Sequence, residues 1–314
     1  MRCPICRQGH THVVFRSYDD RYGFPGQFDL VKCYNCGHKF LDCVLASIKL
    51  TELYTSYYPR RSFDIGKSKP HVEKTGLRSW IDGINCSAFR WIPKNVSVLD
   101  IGCGFGESLG YHVNRGCTVY GVEADENIRR VADKYGYNVH VGLFNPDMYQ
   151  VEYFDYVTMD QVIEHMVDPI ETLIGVAKIL KPGGIAVLST PNANGWGVKT
   201  FKNRWINWHS PYHIQFFSKN SIRLAANKSG FKIIKILTLT SSEWLLYQWV
   251  HLFSFPQMGK RSEFWDTRKE KSLRLKLLIK VFSIFHKSKI NHLITRIFDA
   301  LNVGDNFVII LKKI

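Results

Sequence analysis

The chain has 314 residues, 45% of them hydrophobic, and carries 42 lysines and arginines against 27 aspartates and glutamates. This composition excludes a disordered or fibrous protein, and the net charge of +15 favours an anionic partner: nucleic acid, a phosphorylated substrate or an acidic membrane surface. With no secretory signal and no apolar run near the roughly 20 residues of a membrane span, we expect a cytoplasmic protein, either free or peripheral on the inner face of the membrane.

Residues 1–45 predict a small zinc-binding module with short strands at Val13–Phe15 and Phe28–Val31. Two CxxC pairs supply four thiolates, which suit tetrahedral zinc, and a site filled by four protein ligands is structural. The cysteines are Cys3, Cys6, Cys33 and Cys36. The alternatives are a metal-free remnant and a redox pair. We expect the neighbouring His10, His12 and His38 to be exposed to solvent, although any of them can replace a cysteine ligand.

Residues 46–90 are interpreted as a linker followed by N-terminal helices. Leu50–Pro59 is rich in tyrosine, and Arg60–Lys74 is basic and poor in apolar residues, which predicts a mobile loop or lid. Trp80–Trp91 predicts the helix that precedes the first core strand.

The segment Val98–Gly110 predicts a cofactor pocket. An apolar strand ends near Asp100 and runs into Gly102, Gly104 and Gly106, where a Cβ would occupy the space of a ligand lying against the backbone. The spacing is GxGxG and not the GxGxxG of dinucleotide binders, so it favours a cofactor that places no phosphate on the following helix. S-adenosylmethionine is such a cofactor.

The next strand, within Cys117–Asp125, ends in Glu123. A carboxylate at this distance downstream of the glycine loop can accept both ribose hydroxyl protons. The alternative is that Glu123 only caps the following helix.

Strand and helix patterns alternate from Val96 to Val187, which predicts an α/β fold with a parallel sheet covered by helices on both faces. Phe231–Thr238 and Asn306–Lys312 predict a sixth strand and an antiparallel seventh. We therefore divide the chain into a module (1–45), a linker (46–90), an S-adenosylmethionine-binding core (91–238), a helical amphipathic insertion (239–305) and the last core strand (306–314).

Three further motifs give the chain a resemblance to class I S-adenosylmethionine-dependent methyltransferases. They are FDYVTMDQVIEHMVDP at 154–169, ILKPGG at 179–184 and TPN at 190–192. The TPN motif resembles the branch of ubiquinone-pathway O-methyltransferases and sugar methyltransferases, and Leu50–Pro59 resembles the linker that joins a zinc module to such a core. The resemblance implies a Rossmann-like seven-stranded sheet. It also implies that Gly142 and Leu143 border the adenine and that Asp160 and Gln161 line the cofactor, although simple packing is an equal alternative for Leu143.

Two histidines are candidates for the base that removes a proton from the methyl acceptor. His165 follows the fourth strand, at the sheet edge where open α/β folds bind ligands. His213 lies in HSPYHIQFFS, which resembles the HxxxFS segment that closes the pocket of sugar methyltransferases. Ser210 and Tyr212 depart from the pattern of the C-methylating members, which argues against C-methylation. A purely structural role is the alternative for both histidines.

The insertion is apolar and aromatic at Trp244–Pro256 and amphipathic at Leu273–Leu301. We expect one apolar face formed by Leu275, Leu278, Ile279, Phe282 and Phe285, with basic residues around it. Residues 244–301 therefore either contact an anionic membrane or pack on the domain with solvated lysines.

The expected function is S-adenosylmethionine-dependent O-methylation of a sugar or glycan hydroxyl on a nucleotide-linked or lipid-linked saccharide. The alternatives are an RNA methyltransferase with a zinc module and a non-catalytic cofactor-binding relative. Nucleic acid is the less favoured partner, because no NPPY-like motif follows the fourth strand.

Overall fold

A computed structural model of the chain describes residues 2–42, 53–57, 72–73 and 76–314. Of the tyrosine-rich stretch 50–59 it describes one π-helical turn, Leu53–Tyr57. The predicted lid at 60–74 lies outside the described residues except for 72–73.

From residue 97 to residue 238 most of the described strands are followed by a helix, and three helices then precede the last strand. The strands are β1 Thr11–Ser17, β2 Phe28–Cys33, β3 Lys39–Asp42, β4 Ser97–Ile101, β5 Thr118–Glu123, β6 Asn138–Val141, β7 Phe154–Asp160, β8 Leu180–Pro191, β9 Gln215–Phe216, β10 Phe231–Thr238 and β11 Asn306–Lys313. The helices are α1 Gly76–Asp82, α2 Glu107–Val113, α3 Ile128–Tyr135, α4 Pro169–Ile179, α5 Trp196–Phe201, α6 Lys219–Lys228, α7 Ser242–Phe253, α8 Leu273–Lys287 and α9 Ile290–Ala300.

Seven strands form the central sheet, in the order β10-β11-β8-β7-β4-β5-β6. Strand β11 runs antiparallel to both of its neighbours, and the other neighbouring strands are parallel. Strands β5 and β6 lie on one side of β4, and β7 and β8 lie on the other. The strand order therefore switches direction between β4 and β7, and open α/β sheets bind ligands at such a switch point. The structure thus confirms the predicted Rossmann-like methyltransferase sheet, including the antiparallel last strand.

The centre of the sheet is buried on both faces, as parallel strands between helices require. Leu99 of β4 and Val157 of β7 have no exposed surface. Strand β8 is longer than the predicted Ile185–Thr190, because it also includes the KPGG segment that the sequence predicts to form a turn before it. At this segment the pairing of β8 with β7 shifts in register.

The predicted helix Trp80–Trp91 is wrong. Helix α1 ends at Asp82, and two short 3₁₀ turns follow, Ile84–Cys86 and Ala88–Trp91. Gly83 causes the break, because its φ is +68° and a Cβ there would lie 2.3 Å from the carbonyl oxygen of Thr240.

The N-terminal module forms its own antiparallel sheet in the order β1-β2-β3-β9. Strand β9 belongs to the core segment that follows β8, and it pairs with β3 through Lys39 with Phe216 and Phe40 with Gln215. The module also shares its apolar core with the large domain, because Ile5 and Phe40 belong to the same buried cluster as Ile170. The module is therefore built onto the core rather than tethered to it.

Helices α7, α8 and α9 make up the predicted helical insertion between β10 and β11. In the described part of the chain, no helix has both the length and the apolar character needed to cross a bilayer.

Candidate active site

The glycine loop joins β4 to α2 in a backbone conformation that favours glycine. Gly102, Gly104 and Gly106 have φ angles of +75°, +55° and +77°. A Cβ at Gly102 would lie 2.4 Å from the Val162 side chain, whereas a Cβ at Gly104 would meet no atom within 4 Å. The loop therefore presents bare backbone to open space at Gly104, and this cradle fits an adenosyl cofactor.

Asp100 supports this loop from beneath the surface. It is buried, and its two carboxylate oxygens accept hydrogen bonds from the hydroxyls of Ser108 and Thr158, the latter at 2.6 Å. Burial raises its pKa to about 7. The structure thus places Asp100 between the start of α2 and strand β7, with both oxygens engaged by the protein.

Glu123 lies at the end of β5, directly beside the glycine loop. Its Oε2 accepts a hydrogen bond from the Gly104 amide at 2.9 Å, and its Oε1 accepts one from the Asp125 amide at 2.9 Å. Burial raises the pKa of this carboxyl, although the backbone amides oppose the shift. The structure thus places Glu123 in contact with the glycine loop, as the sequence predicts.

Gly142 and Leu143 follow β6 on the same edge of the sheet. The Gly142 amide donates to the carbonyl of Glu123 at 2.8 Å, and the Leu143 side chain is exposed. Because its side chain is exposed, Leu143 does not serve to pack the protein interior. It is available to contact a flat ring held next to Glu123.

Asp160 ends strand β7, and Gln161 follows it. Asp160 accepts hydrogen bonds from the Ala88 amide at 3.0 Å and from the Ser189 hydroxyl. The side-chain amide of Gln161 donates to the Ser189 hydroxyl at 3.0 Å and to Asn306 Oδ1 at 2.8 Å. These bonds fix both side chains at the carboxyl edge of the sheet.

Both residues line a cavity of ≈ 90 Å³ beneath the insertion. Its other walls come from the turns after α1, from helix α5 and the segment after it, from helix α7 and the residues before it, from helix α9 and from the start of β11. They include Ser87, Trp196, Phe201, Asn207, Thr240, Trp244, Gln248, Thr295, Asp305 and Asn306. The cavity adjoins β7 at the carboxyl edge of the sheet, which is the edge that also carries the glycine loop.

Sequence reasoning missed most of this cavity. Asp305 is buried, it accepts from the Gly197 amide at 2.8 Å and the Trp205 indole at 3.3 Å, and burial raises its pKa to about 7. Its only sequence signal is its place before the last strand, and nothing local links it to Trp196 or Gln248.

The structure brings His165 and His213 together, with their ring centroids 4.8 Å apart. His165 Nδ1 lies 2.8 Å from the Tyr212 carbonyl, and His213 Nδ1 lies 2.9 Å from the Asn207 carbonyl. Because a carbonyl oxygen only accepts, each Nδ1 carries the proton and each Nε2 has a lone pair. Neither histidine is among the residues that line the cavity.

Burial lowers the pKa of both histidines, and that of His213 falls well below its ordinary value. Both rings are therefore neutral near pH 7. Glu164 completes the cluster, since one of its oxygens lies within 4.8 Å of a ring nitrogen of each histidine. Glu164 was also missed as a site residue, although it stands next to His165. Burial raises its pKa to about 8, and one of its oxygens accepts from Thr190 at 3.0 Å.

The four predicted metal ligands converge. The sulfurs of Cys3 and Cys36 are 3.6 Å apart, those of Cys6 and Cys33 are 3.4 Å apart, and all four lie within 4.8 Å of one another. Tetrahedral zinc with metal–sulfur bonds near 2.3 Å requires sulfurs about 3.8 Å apart. The geometry and the four-thiol donor set thus fit a closed zinc site.

The expectation that His38 is exposed is wrong. The side chain is fully buried, and its Nε2 lies 3.0 Å from Gln215 Oε1. The Gln215 amide in turn donates to the Met166 carbonyl at 3.0 Å. His38 therefore ties the cysteine module to the segment that carries His213.

Comparison with known proteins identifies the family of the chain. The chain belongs to the methyltransferase-domain family, because the family profile described as "Methyltransferase domain" matches residues 73–236, just over half of the sequence.

Curated relatives include ubiquinone biosynthesis O-methyltransferases. The protein of Thiobacillus denitrificans is 32% identical over 123 residues, covering 35% of this chain and 53% of that protein. The protein of Azoarcus sp. is 33% identical over 134 residues, covering 40% and 55%. The chain thus spans about half the length of the curated relatives it matches.

Among solved structures, phosphoethanolamine N-methyltransferase 2 of Haemonchus contortus, in complex with S-adenosyl-L-methionine, aligns with a TM-score of 0.50. The identity is 18%, and the alignment covers 88% of this chain and 61% of that protein. At this identity the likeness concerns the fold alone.

Proposed function

We propose that the protein is an S-adenosylmethionine-dependent O-methyltransferase that acts on a hydroxyl of a nucleotide-linked or lipid-linked saccharide. The observation that carries the proposal is the open space at Gly104, bordered by the Glu123 carboxylate. The ubiquinone O-methyltransferases among the relatives support transfer to oxygen. The preference for a sugar depends on the TPN and HxxxFS resemblances and on the polar side chains of Asp160, Gln161 and Asn207 in an otherwise largely apolar cavity.

When bound, the cofactor supplies an electrophilic methyl group. The protein then has to hold both reactants in line and accept one proton. Glu123 offers carboxylate oxygens to the ribose hydroxyls, and Asp100 keeps the loop in place through Ser108 and Thr158. We assign the acceptor to the cavity bordered by Asp160 and Gln161.

His213 is the base we favour, and His165 is the second candidate. Each neutral ring holds a proton at Nδ1 against a carbonyl and can take another at Nε2. Since neither ring lines the cavity, this role requires the acceptor to reach past Asn207, whose carbonyl meets His213.

We further propose that Cys3, Cys6, Cys33 and Cys36 hold one structural zinc ion. With four sulfurs as ligands, no coordination position is left for catalysis. The metal stabilises the β1-β2-β3 sheet and, through β9, the segment that carries His213.

Calorimetric titration with S-adenosylhomocysteine, followed by a tritiated-methyl assay, tests the proposal. We expect binding that Glu123→Gln weakens by about 10- to 100-fold, because hydrogen bonds to a charged acceptor contribute about 1.5–3 kcal/mol. We expect label in sugar nucleotides or a glycolipid extract. Label in RNA would support the RNA methyltransferase instead, and cofactor affinity without any labelled acceptor would support a non-catalytic relative. A protein that binds no S-adenosylhomocysteine would refute the assignment.

A further inference from the structure

The outward face of α8 is a stripe of large apolar side chains. Leu277 is 62% exposed and Ile284 is 59% exposed. Spacings of four and seven residues place them on one face with three others. The exposed set on α8 is Leu273, Leu277, Val281, Ile284 and Phe285.

This stripe is additional to the face that packs on the protein. Leu275 is buried, and the Phe282 ring lies 5.5 Å from Phe253 and 6.4 Å from Trp249 of α7, measured between centroids. Of the expected apolar face, Leu275 and Phe282 thus pack on the domain, whereas Phe285 stays exposed. The helix is apolar on both sides, and the residues that the structure describes cover only one of them.

Helix α9 buries a mixed polar and apolar side. Its most buried residues are the polar Asn291, His292, Thr295 and Arg296, and beside them the Phe298 ring stacks on Trp196 at 4.3 Å between centroids. Arg296 donates to the Trp80 carbonyl at 2.7 Å and pairs with Asp299 at 2.7 Å.

The outward residues of α9 are apolar: Ile290, Leu293 (60% exposed), Ile297 (57% exposed) and Leu301 just beyond the helix. A surface helix in water buries its apolar side, so this arrangement indicates that something other than water covers the outer face. We call the exposed apolar residues of α8 and α9 together the insertion stripe.

The surroundings of the stripe are positively charged. Helix α8 carries Arg274, Lys276, Lys280 and Lys287 and has no acidic residue. The three lysines are four and seven residues apart, so they share one flank of the stripe. Within the described part of the chain, Lys280 and Lys287 form no ion pair.

We propose that α8 and α9 seat the protein on an anionic lipid bilayer. The insertion stripe enters the interfacial zone, and the lysine flank meets the lipid phosphates. A second copy of this chain fits less well, because a two-fold contact would bring the same cations together from both sides.

Vesicle flotation of the full chain tests the proposal, with phosphatidylcholine alone or with one third phosphatidylglycerol. We expect binding to the anionic vesicles. Replacing Lys276, Lys280 and Lys287 by glutamine should weaken it about 100-fold, because each lysine near the surface contributes about five-fold. Replacing Leu277 and Ile284 by glutamine should weaken it by a similar factor.

The matched control replaces two exposed apolar residues outside the insertion, Val151 and Ile234, by glutamine. It should float like the wild type, and all variants should melt like it, because every replaced residue is exposed. The proposal is overturned by absent flotation, by equal binding to neutral vesicles or by equal loss in the control. A stable dimer that Leu277→Gln with Ile284→Gln dissociates would assign the stripe to a second copy and also overturn it. Because the readout is lipid binding, the outcome does not depend on the proposed methyl transfer.

Discussion

Replacing Gly104 by alanine distinguishes two reasons for a glycine in the loop: the left-handed backbone, which disfavours other residues, and the space that a bound ligand needs. Gly104 has a positive φ and borders open space, and Gly230, between α6 and β10, has the same two properties. An added Cβ meets no protein atom within 4 Å at either position. Only the Cβ at residue 104 would point into the proposed cofactor site.

The cost to folding should be nearly equal for the two variants. Left-handed backbone disfavours alanine by about 1–2 kcal/mol, and no clash adds to it at either position. Binding should differ. A methyl group forced against a ligand that packs on bare backbone costs about 1–3 kcal/mol, which is roughly a 5- to 150-fold loss of affinity. Urea denaturation gives the free energies of unfolding, and calorimetric titration gives the affinities for S-adenosylhomocysteine.

We therefore expect Gly104→Ala to lose affinity and Gly230→Ala to keep that of the wild type. Equal affinity in the two variants, at equal stability, would show that the cofactor does not lie against residue 104. The reasoning from the open space would then be wrong.

Three further predictions concern the base, the zinc and a buried acid. His213→Ala should lower turnover by about 10²–10⁴-fold and leave the affinity for S-adenosylhomocysteine unchanged; unchanged turnover would remove His213 as the base. The purified protein should contain one zinc ion per chain by elemental analysis, and Cys33→Ser should lose it and melt roughly 5–10 °C lower; a metal-free protein with an unaltered melting temperature would contradict the zinc site. Burial raises the pKa of Glu164 from 4.5 to about 8. The contribution of this carboxyl to stability is therefore complete below about pH 4.5, where it is uncharged in both the folded and the unfolded chain, and it is lost as the pH rises through about 8. From about pH 6 to about pH 8, urea denaturation should show the wild type losing about 2 kcal/mol of stability relative to Glu164→Gln, and parallel pH profiles would refute the shift.

The features that the sequence predicted are encoded locally. The glycine loop is one strand, one turn and the start of one helix, and the core strands are continuous apolar runs that need no partner to be recognised. The two CxxC pairs are local as well, because each knuckle positions its own two sulfurs. These features can be predicted from short stretches of sequence, because the residues that determine each of them lie close together in the chain.

The features that the sequence did not predict depend on contacts between distant residues. Strand β9 has only two residues, and it exists because β3 pairs with it. The cavity unites Asp160, Gln248 and Asp305 from three separate segments. The exposure of Leu293 and Ile297 on α9 has the same origin. The helix is apolar on more than one side, and its contacts within the fold, those of Arg296 with Trp80 and Asp299 and that of Phe298 with Trp196, decide which side is buried.

The module and the insertion hold the same part of the core from opposite sides. On the module side, the Ser17 hydroxyl donates to the Ser210 hydroxyl at 2.8 Å. On the insertion side, Gln248 of α7 accepts from the Ile206 amide at 2.8 Å and donates to the Arg204 carbonyl at 3.0 Å.

The segment 204–217 between them carries His213 and part of the cavity wall. The glycine loop, in contrast, is held by β4, β5 and β7. The two additions to the methyltransferase core therefore shape the proposed acceptor side of the site, whereas the loop on the proposed cofactor side is held by the sheet and by the start of α2. This division explains how a glycine loop that is recognisable from a short sequence window can coexist with a neighbouring cavity that is not.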